Sequence, residues 1–135
     1  MQRLARHDHQ TMSAVLAYIS AALVAIWGVA HAVPTRQVLA GFEPITPDNR
    51  LIIKQEWLAE ALSMWGVAAV VVAATAAGGT TPDVRAWVYR AASALLIALA
   101  ALTALTGART PVIWFKICPA LLSAAAILLL VASFR

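Results

Sequence analysis

Apolar and polar positions along the 135-residue chain fall into blocks, without the short alternation of an amphipathic strand. Four blocks are long, nearly free of charge and closed by helix breakers. Residues 12–33 end at Pro34, residues 57–77 at Gly78-Gly79 and residues 86–106 at Gly107, and residues 111–134 form the last. Crossing the roughly 30 Å of bilayer hydrocarbon takes about 20 apolar residues as a helix, so each block is long enough to span. Apolarity on every side of a helix marks a segment surrounded by lipid or protein.

The polar punctuation sharpens the helix starts. Thr46-Pro47-Asp48, Thr81-Pro82-Asp83 and Thr110-Pro111 each place a Thr N-cap before a Pro at the first helical position. Two of them add an acid in the first turn, where the helix dipole favours it. The chain is thus expected to be all-α, a four-helix transmembrane bundle in one domain over 1–135, with helices at 12–33, 47–77, 82–106 and 111–134. The second helix begins before the membrane, and its opening turns (DNRLIIKQ) read as interfacial. Residues 1–11 read as a polar tail. The run that follows is too long for the apolar core of a signal peptide and reads as the first span, with no cleavable signal by pattern. Residues 34–46 form the one long connection, either a lid folded over the helix ends or a plain interfacial loop.

Composition agrees with the blocks: 62% of residues are hydrophobic, 12% are charged and the mean hydropathy is +0.81. Soluble domains carry about 25% charged residues. The net charge of +4 comes from scattered cations with no basic run among aromatics, which argues against a nucleic-acid partner. A lone cysteine, Cys118, excludes an internal disulfide and a CxxC redox centre. Small residues recur at helical spacing, as Ala69, Ala73 and Ala77 on the second helix and Ala94, Ala98 and Ala101 on the third. Such rows permit close helix approach within one chain or between copies, so a homo-oligomer is open. Trp27, Trp57, Trp87 and Trp114 lie near helix ends, as interfacial belt and packing residues do.

Four spans put both termini on one side. That side carries Arg3, Arg6, Arg85, Arg90 and Arg135, against Arg36, Arg50, Lys54, Arg109 and Lys116 on the other. The counts are equal, so the positive-inside rule casts no vote. Either local function holds the cations opposite the termini, leaving the termini cytoplasmic, or the protein inserts both ways and pairs antiparallel.

The candidate chemistry gathers on the side opposite the termini. Glu60 is the only charged residue in 57–77. An acidic side chain at a helix centre costs about 2.5–3.5 kcal/mol on insertion scales, so it is expected to face a partner, water or a functional pocket. Glu56, Glu60 and Ser63 share one helical stripe, and Trp27 and His31 share another on the first helix. Arg109 lies in the turn before the fourth helix, and Lys116 in its early turns. Pro119 frees the carbonyl of Phe115 beside Lys116. The pattern predicts a polar pocket open toward residues 34–46, with Glu60 and Glu56 as acid and base, His31 as relay, and Lys116, Arg109, Trp27, Trp57 and Ser63 as ligand contacts. Two carboxylates one turn apart in a low dielectric do not both ionise easily, which suits proton transfer. Each residue also has a plain reading. Lys116 can snorkel, His31 can cap a helix end, Glu56 can pair with Lys54 or Arg50, and Glu60 can form a structural ion pair with Lys116, His31 or Arg109. No metal-ligand spacing occurs.

The WGVAH segment near the end of the first helix and the Glu of EWLAEAL opening the second resemble the DoxX-like group of small bacterial four-helix membrane proteins. VYRAAS and TGARTPVIWFKICP resemble a bacterial family of their own, and the GFEPITPDNR loop has no counterpart in the DoxX pattern. The resemblance implies a bacterial inner-membrane location and a link to quinone-coupled oxidation, with quinone as the one cofactor it suggests. Two function classes follow. One is a binder of a lipophilic small molecule (a quinone, sterol-like or terpenoid compound), working as an acid/base enzyme of isomerase or cyclase type or in a quinone-linked role. The other is a proton-coupled transporter or a subunit of a membrane complex.

Overall fold

The structure is a computed structural model that describes residues 2–77 and 81–135, with side chains described from residue 8 onward. Among the described residues it is all-helical: α1 (Gln2–Ala32), α2 (Thr35–Ala40), α3 (Pro47–Ala76), α4 (Pro82–Leu105) and α5 (Ile113–Ala132), with a 3-10 turn at Gly107–Arg109. Segments of α1, α3 and α5, and α4 together with that turn, are long and apolar enough to cross a membrane. The chain is thus an integral membrane protein of the expected four-helix class.

Two of the three threonine starts form as the local chemistry requires. The Thr46 hydroxyl accepts from Asn49 N–H, and that of Thr81 from Val84 N–H, with Pro47 and Pro82 opening α3 and α4. The third does not form. Thr110 uses its hydroxyl to close the 3-10 turn, donating to the Gly107 carbonyl at 2.7 Å, and α5 starts only at Ile113 after an uncapped Val112. Gly107 permits this turn to sit against α5, because a Cβ there would lie 2.9 Å from Phe115 Cδ1.

Two further boundaries differ from expectation. The polar tail is helical from Gln2, so α1 runs about ten residues earlier than the apolar pattern alone indicates. These residues contain neither Gly nor Pro, and once a helix exists each added residue contributes a hydrogen bond at little cost. The connection at 34–46 holds a short helix: α2 lies against α3 with Leu39 buried, and Glu43 pairs with Arg50 across the turn into α3. The stop at Gly78-Gly79 and the side chains of Arg3 and Arg6 lie outside the described residues.

The core is a seam of residues three and four apart. On α1 it runs through Ser13, Ala17, Ser20, Val24 and His31, and on α5 through Cys118, Leu122, Ala125, Leu129 and Ala132. The 3.5-residue repeat keeps each seam facing its neighbour. Three buried serines hydrogen-bond α5 backbone carbonyls: Ser13 to Ala132 and Ser20 to Ala125, each at 2.8 Å, and Ser93 of α4 to Ala126 at 2.9 Å. Without water, a buried hydroxyl must find such an acceptor. α1 packs along α3 and α5, and α4 along α5, whereas α3 and α4 touch little. The last two are joined by Thr75 and Tyr89 hydroxyls at 2.8 Å, and an apolar groove of about 450 Å³ runs between them past Gly66, Val70, Ala91 and Leu95.

The small-residue rows read from the sequence do not build this core. Ala69, Ala73 and Ala77, and Ala94, Ala98 and Ala101, are all exposed. The alanines that face inward are Ala61, Ala68 and Ala74 on α3, and Ala92 and Ala100 on α4. In such alanine-rich helices several faces carry a small row, and the inward face is the one that also holds Met64, Val71, Tyr89 and Leu96. The tryptophans divide likewise: Trp87 and Trp114 point outward, while Trp27 and Trp57 bond between helices.

One close approach depends on glycine. Gly28 of α1 sits under Trp65 of α3, whose indole N–H donates to the Ala25 carbonyl at 3.1 Å, and a Cβ on Gly28 would lie 2.6 Å from that nitrogen. Gly28→Ala should cost about 1 kcal/mol in detergent unfolding, the low end for overpacking, and the loss should shrink when Trp65 is also made Leu. An unchanged midpoint for Gly28→Ala would show that α1 and α3 are not held this close.

Candidate functional site

The end of α1 and the start of the membrane part of α3 are clasped by two aromatic residues exchanging hydrogen bonds with each other's backbone. The Trp57 indole N–H donates to the His31 carbonyl at 3.0 Å. That carbonyl belongs to the last turn of α1, where no helical N–H is available to it. In return, His31 Nε2 lies 3.1 Å from the Trp57 carbonyl. The two rings stack, with centroids 3.9 Å apart and planes 18° from parallel. Phe115 of α5 meets the Trp57 indole edge-on at 6.0 Å, which brings a third helix to the clasp.

Glu60, one turn along α3, completes the cluster, with Oε2 3.6 Å from His31 Nε2. Both neighbours of Nε2, the Trp57 carbonyl and the Glu60 carboxylate, can accept a hydrogen bond, an arrangement that suits the tautomer with its hydrogen on Nε2. The His31 side chain is 7% exposed and that of Glu60 31%. The histidine is therefore held in the protein while the carboxylate reaches its edge. A carboxylate with an imidazole beside it can hand a proton to, or take one from, a polar group presented at that edge.

Of the partners expected for Glu60, the structure selects His31. Among the described residues the ion pairs are His31–Glu60 and Arg50–Glu43, so neither Lys116 nor Arg109 reaches a carboxylate, and both are exposed. Glu56 is also exposed, and Arg50, one of its expected partners, pairs with Glu43 instead. Ser63 donates to the Ala59 carbonyl at 2.8 Å and lies on the α3–α4 groove, away from the clasp. Trp27, one turn deeper on α1, donates to Cys118 Sγ at 3.1 Å. The site read from the sequence therefore separates into His31, Trp57 and Glu60, which meet, and Glu56, Ser63, Lys116 and Arg109, which stand apart from them.

Two members were not legible beforehand. Phe115 and Cys118 come to Trp57 and Trp27 from 58 and 91 residues away, and neither carries a local signal of that pairing. Among the described residues, no three His, Cys, Asp or Glu side chains are grouped to hold a metal ion. No family model, curated protein or solved structure matches this chain.

Proposed function

We propose that this integral membrane protein binds a lipophilic small molecule by its polar end at the Glu60–His31 pair, and that the pair exchanges a proton with it. The observation that carries this reading is a partly exposed carboxylate within an apolar span, set beside an imidazole whose orientation is fixed by Trp57. A group needed only to hold helices together gains nothing from standing open at the edge of the protein. The resemblance to DoxX-like proteins belongs to the same proposal and makes a quinone one ligand of the right kind, in a bacterial inner membrane. Trp27 would line the deeper part of such a site, while Glu56, Lys116 and Arg109 would act at its approach.

A second reading, a proton-coupled transporter or complex subunit working as an oligomer, is favoured by one observation. The alanine rows of α3 and α4 face outward, where another helix can pack closely. Glu60 would then be the protonatable coupling residue.

Small-molecule extraction and mass spectrometry of the purified protein test the first reading. An apolar non-phospholipid compound should co-purify with the wild type and fall at least about tenfold in Glu60→Gln, the equivalent of one lost charge-assisted hydrogen bond. Equal recovery from both proteins, or none from either, would sink the reading.

A further inference from the structure

The side of the protein carrying the termini holds a depression of about 890 Å³ between the start of α4 and the described ends of α1 and α5. Its lining is rich in arginine. Arg85 and Arg90 come from the first turns of α4, and Arg135 follows α5. Among the described residues Asp83 is the one acidic side chain in the lining, so its side chains comprise three arginines against one carboxylate, a side-chain excess of +2. Among the described residues none of these arginines has a carboxylate within ion-pair distance.

Arg90 is held in place without being neutralised. Its guanidinium carbon lies 5.3 Å from the Trp87 ring centre and 5.0 Å from that of Phe134, and its Nε–H donates to Ser133 Oγ at 3.4 Å. The rings support the side chain by cation–π attraction, leaving the other guanidinium N–H groups to bind an acceptor. Ser133 is itself tied to the Leu130 carbonyl at 2.7 Å, so the support is anchored to the last turn of α5. Trp87 and Phe134 are 67% and 73% exposed at the ends of membrane-spanning helices, the depth at which aromatic residues meet lipid headgroups.

We propose that this depression binds the phosphate of an anionic lipid headgroup, with Arg90 as the fixed contact and Arg85 and Arg135 closing on the remaining oxygens. The guanidinium fork matches the geometry of phosphate oxygens, and basic pockets between membrane helices take anionic headgroups in this way. The lipid source follows from position. The depression lies at the ends of the membrane-spanning helices, the level at which headgroups meet such a protein, so a bilayer lipid can place its phosphate there while its chains stay beside α4 and α5. The proposal is independent of the Glu60–His31 site, which lies at the other end of the helices.

Native mass spectrometry of the delipidated protein, offered equal amounts of phosphatidylglycerol and phosphatidylcholine in detergent, tests it. The wild type should retain phosphatidylglycerol over phosphatidylcholine by about tenfold, and Arg85→Gln/Arg90→Gln/Arg135→Gln should bring the two within about twofold. The triple change Arg36→Gln/Arg50→Gln/Lys54→Gln removes the same charge from the opposite side and should keep the wild-type preference. Should the arginine triple variant fail to fold by circular dichroism, Arg90→Lys serves. It keeps the charge but loses the planar fork, and should lose about half or more of the preference. Equal retention of the two lipids by the wild type would overturn the proposal, as would an undiminished preference in the arginine variants or an equal loss in the opposite-side control. Displacement of phosphatidylglycerol by millimolar inorganic phosphate would overturn the lipid assignment and identify free phosphate as the ligand.

Discussion

His31→Ala should destabilise the protein by about 3 kcal/mol, the largest loss expected from any single change outside the apolar core. The substitution removes three things at once. The stack on Trp57 is worth about 1 kcal/mol, and the hydrogen bond from Nε2 to the Trp57 carbonyl about as much. The emptied ring volume beside Trp57 accounts for the remainder, since surrounding side chains relax only partly into it. The ion pair with Glu60 adds little to this sum, because the carboxylate is 31% exposed and screened. What His31→Ala does to Glu60 is therefore read from a cycle. Adding Glu60→Gln to His31→Ala should cost slightly less than Glu60→Gln costs alone, with a coupling below about 0.5 kcal/mol. Thermal or denaturant unfolding in detergent micelles measures all four proteins. A His31→Ala midpoint indistinguishable from wild type would mean that the clasp does not hold α1 to α3, and the positioning argued for Glu60 would fall with it.

Ala125→Leu should cost about 3 kcal/mol, whereas Ala69→Leu should stay within about 0.5 kcal/mol of wild type. Both are alanines inside membrane-spanning helices and both sit among other alanines. Ala125 is fully buried where α1 crosses α5, and Ser20 reaches its carbonyl at 2.8 Å. Three added carbons there push α1 away, strain rotamers on both helices and pull the serine hydroxyl off its only acceptor. A leucine at position 69 meets open surroundings instead. Unfolding in detergent decides between them, and a reversed order would mean that α3 packs with its other face inward. Loss of a homo-oligomer in Ala69→Leu without loss of helical content would instead support the oligomeric reading of the outward rows.

The contrast between these two alanines marks how far the sequence reaches. The four spans, the breaks at Pro34 and Gly107 and the caps at Thr46 and Thr81 were legible because they depend on local terms: the length of an apolar run against bilayer thickness, and a hydroxyl meeting an orphan N–H three residues away. The same local logic misplaced the fourth start. Thr110-Pro111 has the residues of a cap, but its hydroxyl is taken by the Gly107 carbonyl, and that choice depends on Phe115 packing over Gly107. It also missed the ten early residues of α1, which hydropathy ignores because they are polar, although nothing in them breaks a helix.

For the candidate site, the sequence by itself determined that a carboxylate stands in an apolar span, that a histidine ends the first helix on the same side, and that each has residues at helical spacing around it. Those statements need only charge, hydropathy and the 3.6-residue turn. Only the tertiary structure decided that Glu60 meets His31 and not Lys116 or Arg109, that Trp57 orients the imidazole, and that Glu56 stays outside. Hydropathy distinguishes lipid from water but not lipid from protein, so a helix that is apolar all round does not declare which face its neighbours will cover. That choice is made by shape: where glycine and serine let two backbones approach, and where a ring from a distant helix fills the space between them.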